Sequence, residues 1–181
     1  MLNQKEDKTI HIRKATETDV EVLALLGRIT YSESHGHFIN DKNDLLAYNN
    51  KAFSIAKIKE DIDNDNNLFY ILYINNLPVG YAKLVLNATH ESITSTNNCR
   101  LERIYILNDF IPLKIGQQLL TFIESKAKEL QLDTIWLSVY IKNERAIRFY
   151  ERNEFKDTGR LDFLVNGNAY ENFVLSKKIK S

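Results

Sequence analysis

A chain of 181 residues is long enough to bury one well-filled core and short for two domains. Lys plus Arg number 24 and Asp plus Glu 24, so no net field draws the chain to nucleic acid or to an anionic membrane, and the 44% hydrophobic content excludes a disordered composition. Cys99 is the single cysteine, which excludes an intrachain disulfide and gives no sign of an oxidising compartment.

The N-terminal MLNQKEDK lacks an apolar signal core, and no apolar run approaches the length of a bilayer span. The expectation is a cytoplasmic protein of one domain over 1–181, without membrane or nucleic-acid partners and with frayed ends outside about 9–179. Residues 9–14 alternate Ile10 and Ile12 with His11 and Arg13, a short half-exposed strand. The helix that follows opens at Thr16 and Asp19, spaced as a capping box, and places Val22, Leu25, Leu26 and Ile29 on one face. Glu33, His35 and His37 match no common zinc spacing, so no metal is expected, and a polar loop lining a substrate entrance is the better use of them. Short helices are expected at 43–48 and 54–61. The acids Glu60, Asp61, Asp63 and Asp65 read as a solvated helix end, the alternative being a weak attraction for a polycation. LFYILYI (68–74) suits a central strand, joined across Asn75-Asn76 to GYAKLVLN as an antiparallel hairpin, with a polar loop at 88–98.

The stretch 99–130 reads as a strand, a short polar turn and a long helix, a unit whose N-terminus offers unpaired amides and a positive dipole end to an anion. Alternation within LERIYI sets Glu102, Ile104 and Ile106 on one face and Leu101, Arg103 and Tyr105 on the other. If buried, Glu102 has its pKa raised toward the range of a general base; the alternative is an ion pair with a cation on a neighbouring strand. Ile115, Leu119, Phe122, Ile123, Ala127 and Leu130 form the helix stripe. TIWLSVY (134–140) is a strand with Ile135, Leu137 and Val139 on one face, and Asn143 caps a helix carrying Phe149 and Tyr150. A last hairpin closes across Asn166-Gly167-Asn168. The order β, helices, ββ, β, α, β, α, ββ implies a mixed α/β sheet with helices on both faces.

At LERIYI, NDFIPLKIGQQLL and IWLSVYIKNERAIRFYERNEF the sequence resembles the GNAT superfamily of N-acetyltransferases, and within it the PaiA-like spermidine/spermine N-acetyltransferases. The resemblance implies a twisted, mostly antiparallel sheet with a splayed parallel strand pair, acetyl-CoA as cosubstrate, no metal, and direct attack by a primary amine, such as a polyamine, in a ternary complex. Carried over by position, Ile104, Tyr105 and Ile106 meet the acetyl and pantetheine groups through their backbone. Leu113, Lys114, Ile115, Gly116 and Gln117 hold the pyrophosphate, and Asn143 contacts pantetheine or the adenosine side. Tyr150 protonates the departing thiolate, and Glu102 is the candidate base.

The family turn reads Gln/Arg-x-x-Gly-x-Gly/Ala, and the aligned positions here are Ile111, Lys114 and Gly116. A lysine replaces the first glycine, and Pro112 has no N–H to give. Two other readings stay open: a protein or peptide N-acetyltransferase, and a non-catalytic acyl-CoA-binding module. Many relatives are dimers, so a homodimer is open too.

Overall fold

Apolar side chains on both faces of the central strands require cover on both sides, and the fold supplies it. The computed structural model describes residues 8–179; the segment 1–7, read above for a signal core, lies outside it. The strands are β1 (Ile10–Lys14), β2 (Asn67–Ile74), β3 (Leu77–Leu86), β4 (Asn98–Ile106), β5 (Thr134–Tyr140), β6 (Lys156–Val165) and β7 (Asn168–Lys178). They form one seven-stranded sheet in the order β1-β2-β3-β4-β5-β7-β6. Only β4 and β5 pair in parallel; the other neighbours are antiparallel. The helices are α1 (Val20–His35), α2 (Lys42–Ala52), α3 (Ile55–Ile62), α4 (Ile115–Glu129) and α5 (Glu144–Arg152).

Strand β2 shows why its sequence is a continuous apolar run. Leu68, Tyr70, Leu72 and Ile74 enter the core beneath α4 and α5, while Phe69, Ile71 and Tyr73 enter the one beneath α1, α2 and α3. Both expected hairpins form. Asn75 and Asn76 sit at φ 49 and 66, and Asn166 and Gly167 at φ 48 and 86, the left-handed pairs that match strand twist.

Helix α1 buries a different face from the one its large apolar residues suggest. Leu23, Ala24, Leu26, Gly27, Thr30 and Tyr31 are buried, whereas Leu25 is 60% and Ile29 39% exposed. The cause is close approach: the Phe53 ring occupies the space a side chain at position 27 would need. A face built from small residues escapes a count of large apolar ones. Helix α4 follows its expected stripe except that Leu120 is buried and Leu130, past the helix end, is exposed.

The parallel pair is short. It joins Asn98 to Thr134, Cys99 to Ile135 and Arg100 to Trp136. Beyond that point β4 stays with β3 as far as Ile106, and β5 stays with β7 as far as Tyr140, so the sheet splits at its centre. The split begins at a register slip: Leu84 faces Leu101 and Lys83 faces Arg103, leaving Glu102 as an extra residue. Such a bulge bends its strand and sharpens the twist.

The bulge also corrects the expected alternation. Leu101, Ile104 and Ile106 pack in the core with α4, while Glu102, Arg103 and Tyr105 all line the opposite side. One unpaired residue shifts the phase of the strand, so Glu102 does not share a face with the two isoleucines. Among the described residues no helix is long and apolar enough to cross a membrane.

Candidate active site

The central split opens toward both faces of the sheet, and the two faces differ in chemistry. On the α4 side, β4 from Leu101 onward has no partner along the edge it turns toward β5. The chain then makes a short 3-10 segment (Asn108–Leu113) and enters α4 through Lys114, which adopts φ 57, ψ 21. This left-handed geometry is where glycine is at ease and where a residue with a Cβ is strained. The lysine holds this left-handed turn at the position where the resemblance expects glycine.

Of the five residues expected to cradle an anion, two have committed their amides. Lys114 N–H donates to Ile111 O at 3.0 Å and Gln117 N–H to Lys114 O at 3.2 Å. The Gln117 side chain is also engaged, donating to Asn153 Oδ1 at 2.7 Å and tying α4 to α5. Ile115 and Gly116 are the first two residues of α4, where amides have no acceptor within the helix. Leu113 keeps its side chain in solvent, 37% exposed. A Cβ at Gly116 would meet only Ile106 Cγ1, at 3.8 Å, so there is room beside this residue. Two amides at the start of a long helix suit a diphosphate, and the residues present fit acetyl-CoA at this place.

Asn143 caps α5, its Oδ1 accepting from Ala146 N–H at 3.2 Å. Tyr150 lies on the same helix, edge-on to Phe149 and Phe155 with ring centroids 5.4 and 5.6 Å away, and packs against the same core as Ile104 and Ile106. Its hydroxyl has no hydrogen-bond partner among the described residues and, unlike that of Tyr81, is not sealed from solvent. Burial pushes the phenol above its ordinary value, so it stays protonated at any physiological pH.

The opposite side holds a cavity of about 270 Å³. Its walls are aromatic (Tyr31, Phe38, Tyr48, Tyr105, Tyr140, Phe163 and Tyr170), and its polar groups are His35, Arg100, Glu102, Arg103, Ser138 and Asn172. The tip of the β6–β7 hairpin is pinned over it: Asn166 and Asn168 each donate to the Asp44 carboxylate of α2 at 2.7 Å. Tyr105 thus presents its side chain to this cavity, edge-on to Tyr31 and His35, and only its backbone remains for the strand edge.

Glu102 is ion-paired. Its Oε1 accepts from Lys83 Nζ at 2.9 Å, and the same ammonium donates to Asp61 at 2.8 Å. Burial pushes the Glu102 carboxyl up, but Lys83, Arg103 and Arg100 together outweigh it and leave the group below its ordinary value. The ion pair with a cation on a neighbouring strand, one of the two sequence readings, is formed. His35 lines the cavity with Nδ1 2.7 Å from Ser34 Oγ, and burial, with His37 nearby, pushes its pKa down to about 4. Glu33 does not join it: its carboxylate accepts the Asn108 amide at 3.0 Å. The described residues hold no group of three metal-ligating side chains. The acidic run is likewise occupied, with Asp61 buried between Lys83 and Lys57 and Asp63 3.6 Å from Lys59.

Sequence reasoning did not single out Arg100, Ser138 or, Tyr105 apart, the tyrosines of the cavity. Two arginines flanking a glutamate inside an otherwise apolar strand were the available signal.

Comparison with known proteins agrees with this geometry. The acetyltransferase (GNAT) family pattern matches residues 33–155, more than half of the chain and all of the split region. The chain belongs to the GNAT acetyltransferase family. This GNAT chain is accordingly an N-acetyltransferase that uses acetyl-CoA. An uncharacterized N-acetyltransferase of Lactobacillus delbrueckii subsp. lactis is 25% identical over 94% of this chain and 98% of its own. The spermidine N(1)-acetyltransferase of Thermoplasma acidophilum is 24% identical over 87% of this chain and 96% of its own. Among solved structures, the PaiA N-acetyltransferase of Thermoplasma acidophilum, in complex with coenzyme A, superposes with a TM-score of 0.76 at 24% identity, covering 94% and 99% of the two chains.

The left-handed lysine generates a stability prediction. Lys114→Gly relieves the strain and raises unfolding stability by about 1 kcal/mol in denaturant titration; a loss of stability would show that the lysine side chain holds the turn.

Proposed function

We propose that this GNAT acetyltransferase acetylates a small primary amine by direct attack, with the donor in the split on the α4–α5 side and the acceptor in the cavity on the other. The carrying observation is the split itself, which sets the start of α4 and an unpartnered phenol on one face of the sheet and the aromatic cavity on the other. Bound acetyl-CoA supplies an activated acyl carbon and a thiolate leaving group.

The chain's part follows from its free groups. Ile115 and Gly116 donate their amides to the diphosphate, with the Lys114 charge beside them; Leu113 and Gln117 shape the turn. The open edge of β4 at Ile104, Tyr105 and Ile106 offers backbone groups to an extended arm, as an edge strand does to a peptide. Asn143, with Oδ1 spent on the cap, retains its NH₂ for the same arm. The amine nitrogen forms the new C–N bond as the C–S bond breaks. The Tyr150 proton goes to the thiolate sulfur, and the proton shed by the amine leaves to solvent.

Glu102 suits a different role from the one first expected. A carboxylate held below its ordinary value is a poor base, though it can accept a hydrogen bond from the incoming amine. A polyamine acceptor draws support from the spermidine-acetylating relative, and a small acceptor of any kind from the cavity volume of about 270 Å³. The unpartnered phenol of Tyr150 argues against a module that binds acyl-CoA without turning it over.

Thiol release from acetyl-CoA in the presence of a broad amine panel tests the reading; no release above background with any amine sinks it. Tyr150→Phe is expected to lower kcat about 10²-fold while leaving coenzyme A affinity unchanged, and an unchanged kcat returns Tyr150 to packing alone. With Glu102 and His35 both pushed down, neither takes the ammonium proton efficiently near pH 7. The logarithm of kcat/KM should therefore climb with unit slope toward the pKa of the amine itself, about 10 for an alkylamine. A plateau setting in near neutrality would reveal a protein base.

A further inference from the structure

We propose that the acceptor amine carries a compact anionic group, a carboxylate or phosphonate, bound by the guanidinium of Arg100. The inference rests on the acyl-transfer reading of the same site and narrows its substrate class. The cavity wall brings two guanidiniums, Arg100 and Arg103, against one carboxylate, Glu102. That carboxylate is claimed by Lys83 at 2.9 Å and stands 3.7 Å from Arg103 Nε. Arg100 has no acidic partner within ion-pair distance among the described residues. Its Nη2 donates to Ser138 Oγ at 3.0 Å, its guanidinium lies 5.0 Å from the centroid of the Trp136 ring, and its Nε is buried without a partner.

Arg103 carries the same signature more deeply. Its side chain is 10% exposed, its guanidinium lies 4.6 Å from the centroid of the Phe53 ring, and its Nη1 is buried and unpaired. Burial pushes Arg100 below its ordinary value, against the partial compensation that Glu102 gives. A buried charge without a counter-ion is costly, and a donor left unpaired is costly again. An anion entering the cavity removes both costs at Arg100, because a guanidinium binds carboxylate and phosphonate oxygens through paired N–H donors.

The same balance disfavours a polycation. Spermidine would meet one carboxylate already ion-paired and two like charges, the juxtaposition that binding sites use to reject a partner. An amino-carboxylate meets Arg100 with its anion and the free side of Glu102 with its amine. The cavity, about 270 Å³, is at the small end of ligand sites, which suits a single compact molecule.

The test uses amine pairs that differ only in the anion: phenylalanine with phenethylamine, 4-aminobutyrate with propylamine, and 2-aminoethylphosphonate with ethylamine, with spermidine alongside. Turnover is followed by thiol release, and binding to coenzyme A-saturated protein by calorimetry. In at least one pair the anionic member is expected to exceed its partner about 10²-fold in kcat/KM and to bind at least tenfold tighter. The carboxylate and phosphonate pairs distinguish the two anions. Arg100→Gln should collapse that ratio toward one, and Arg100→Lys should restore part of it, with coenzyme A affinity serving as the check of folding. Equal values within every pair, or spermidine outperforming every anionic amine, overturn the inference and leave acyl transfer standing. Anion-dependent binding without any turnover does the reverse.

Discussion

Between Leu101 and Arg103 the fourth strand carries one residue more than its antiparallel neighbour can pair, and the site depends on that mismatch. A strand in uniform register with β3 would continue beside β5, close the sheet and seal the core. The extra residue bends β4 away directly after Arg100, the last position paired across the parallel junction. It also places Glu102 and Arg103 consecutively on the same side, which no unbroken strand permits. One local irregularity thus opens the split, frees an edge, and collects the charged groups on the cavity wall.

Holding those charges at the centre of a sheet requires compensation. Lys83, 5% exposed, bridges Asp61 and Glu102 at 2.8 and 2.9 Å, and so ties α3 to the bulge across β3. Removing one member of such a buried set leaves an uncompensated charge, a loss of about 3–5 kcal/mol. The network fixes the bulge in place and consumes the one carboxylate that the described residues bring to the cavity. What remains for a ligand is the positive charge of the arginines and a ring of tyrosines. On the far side of the sheet the division of labour is different: backbone amides and a helix terminus supply the polarity, and side chains such as Gln117 and Asn143 are spent on holding helix ends.

Much of this was legible in the sequence. The hairpins at Asn75-Asn76 and Asn166-Gly167, the Asn143 cap and the strand–helix–strand–helix core follow local rules of turn chemistry and periodicity, and the motifs at LERIYI and NERAIRFYERNEF carry the family. The buried face of α1 was not legible, because Ala24, Gly27 and Thr30 pack by close approach and leave the large Leu25 and Ile29 outside. Nor was the face of Glu102: a bulge leaves no mark in a two-residue repeat until the partner strand is known. The surroundings of Glu102 were invisible for the same reason, since Lys83 and Asp61 are brought to it from 19 and 41 residues away in the chain. The cavity walls come from five separate segments, and no single stretch announces them.

The claim on which the account turns is that the donor lies over the open amides at the start of α4. Calorimetric titration of coenzyme A into the wild-type chain and into Gly116→Glu tests it most directly. A Cβ at this position has room, the nearest side-chain atom being Ile106 Cγ1 at 3.8 Å, and a carboxylate near a helix N-terminus favours the fold while it repels a diphosphate. The account predicts one site per chain, an affinity lowered at least tenfold by the carboxylate, and an unfolding midpoint no lower than that of the wild type. Unchanged affinity in the variant, or no binding by either protein, would contradict it.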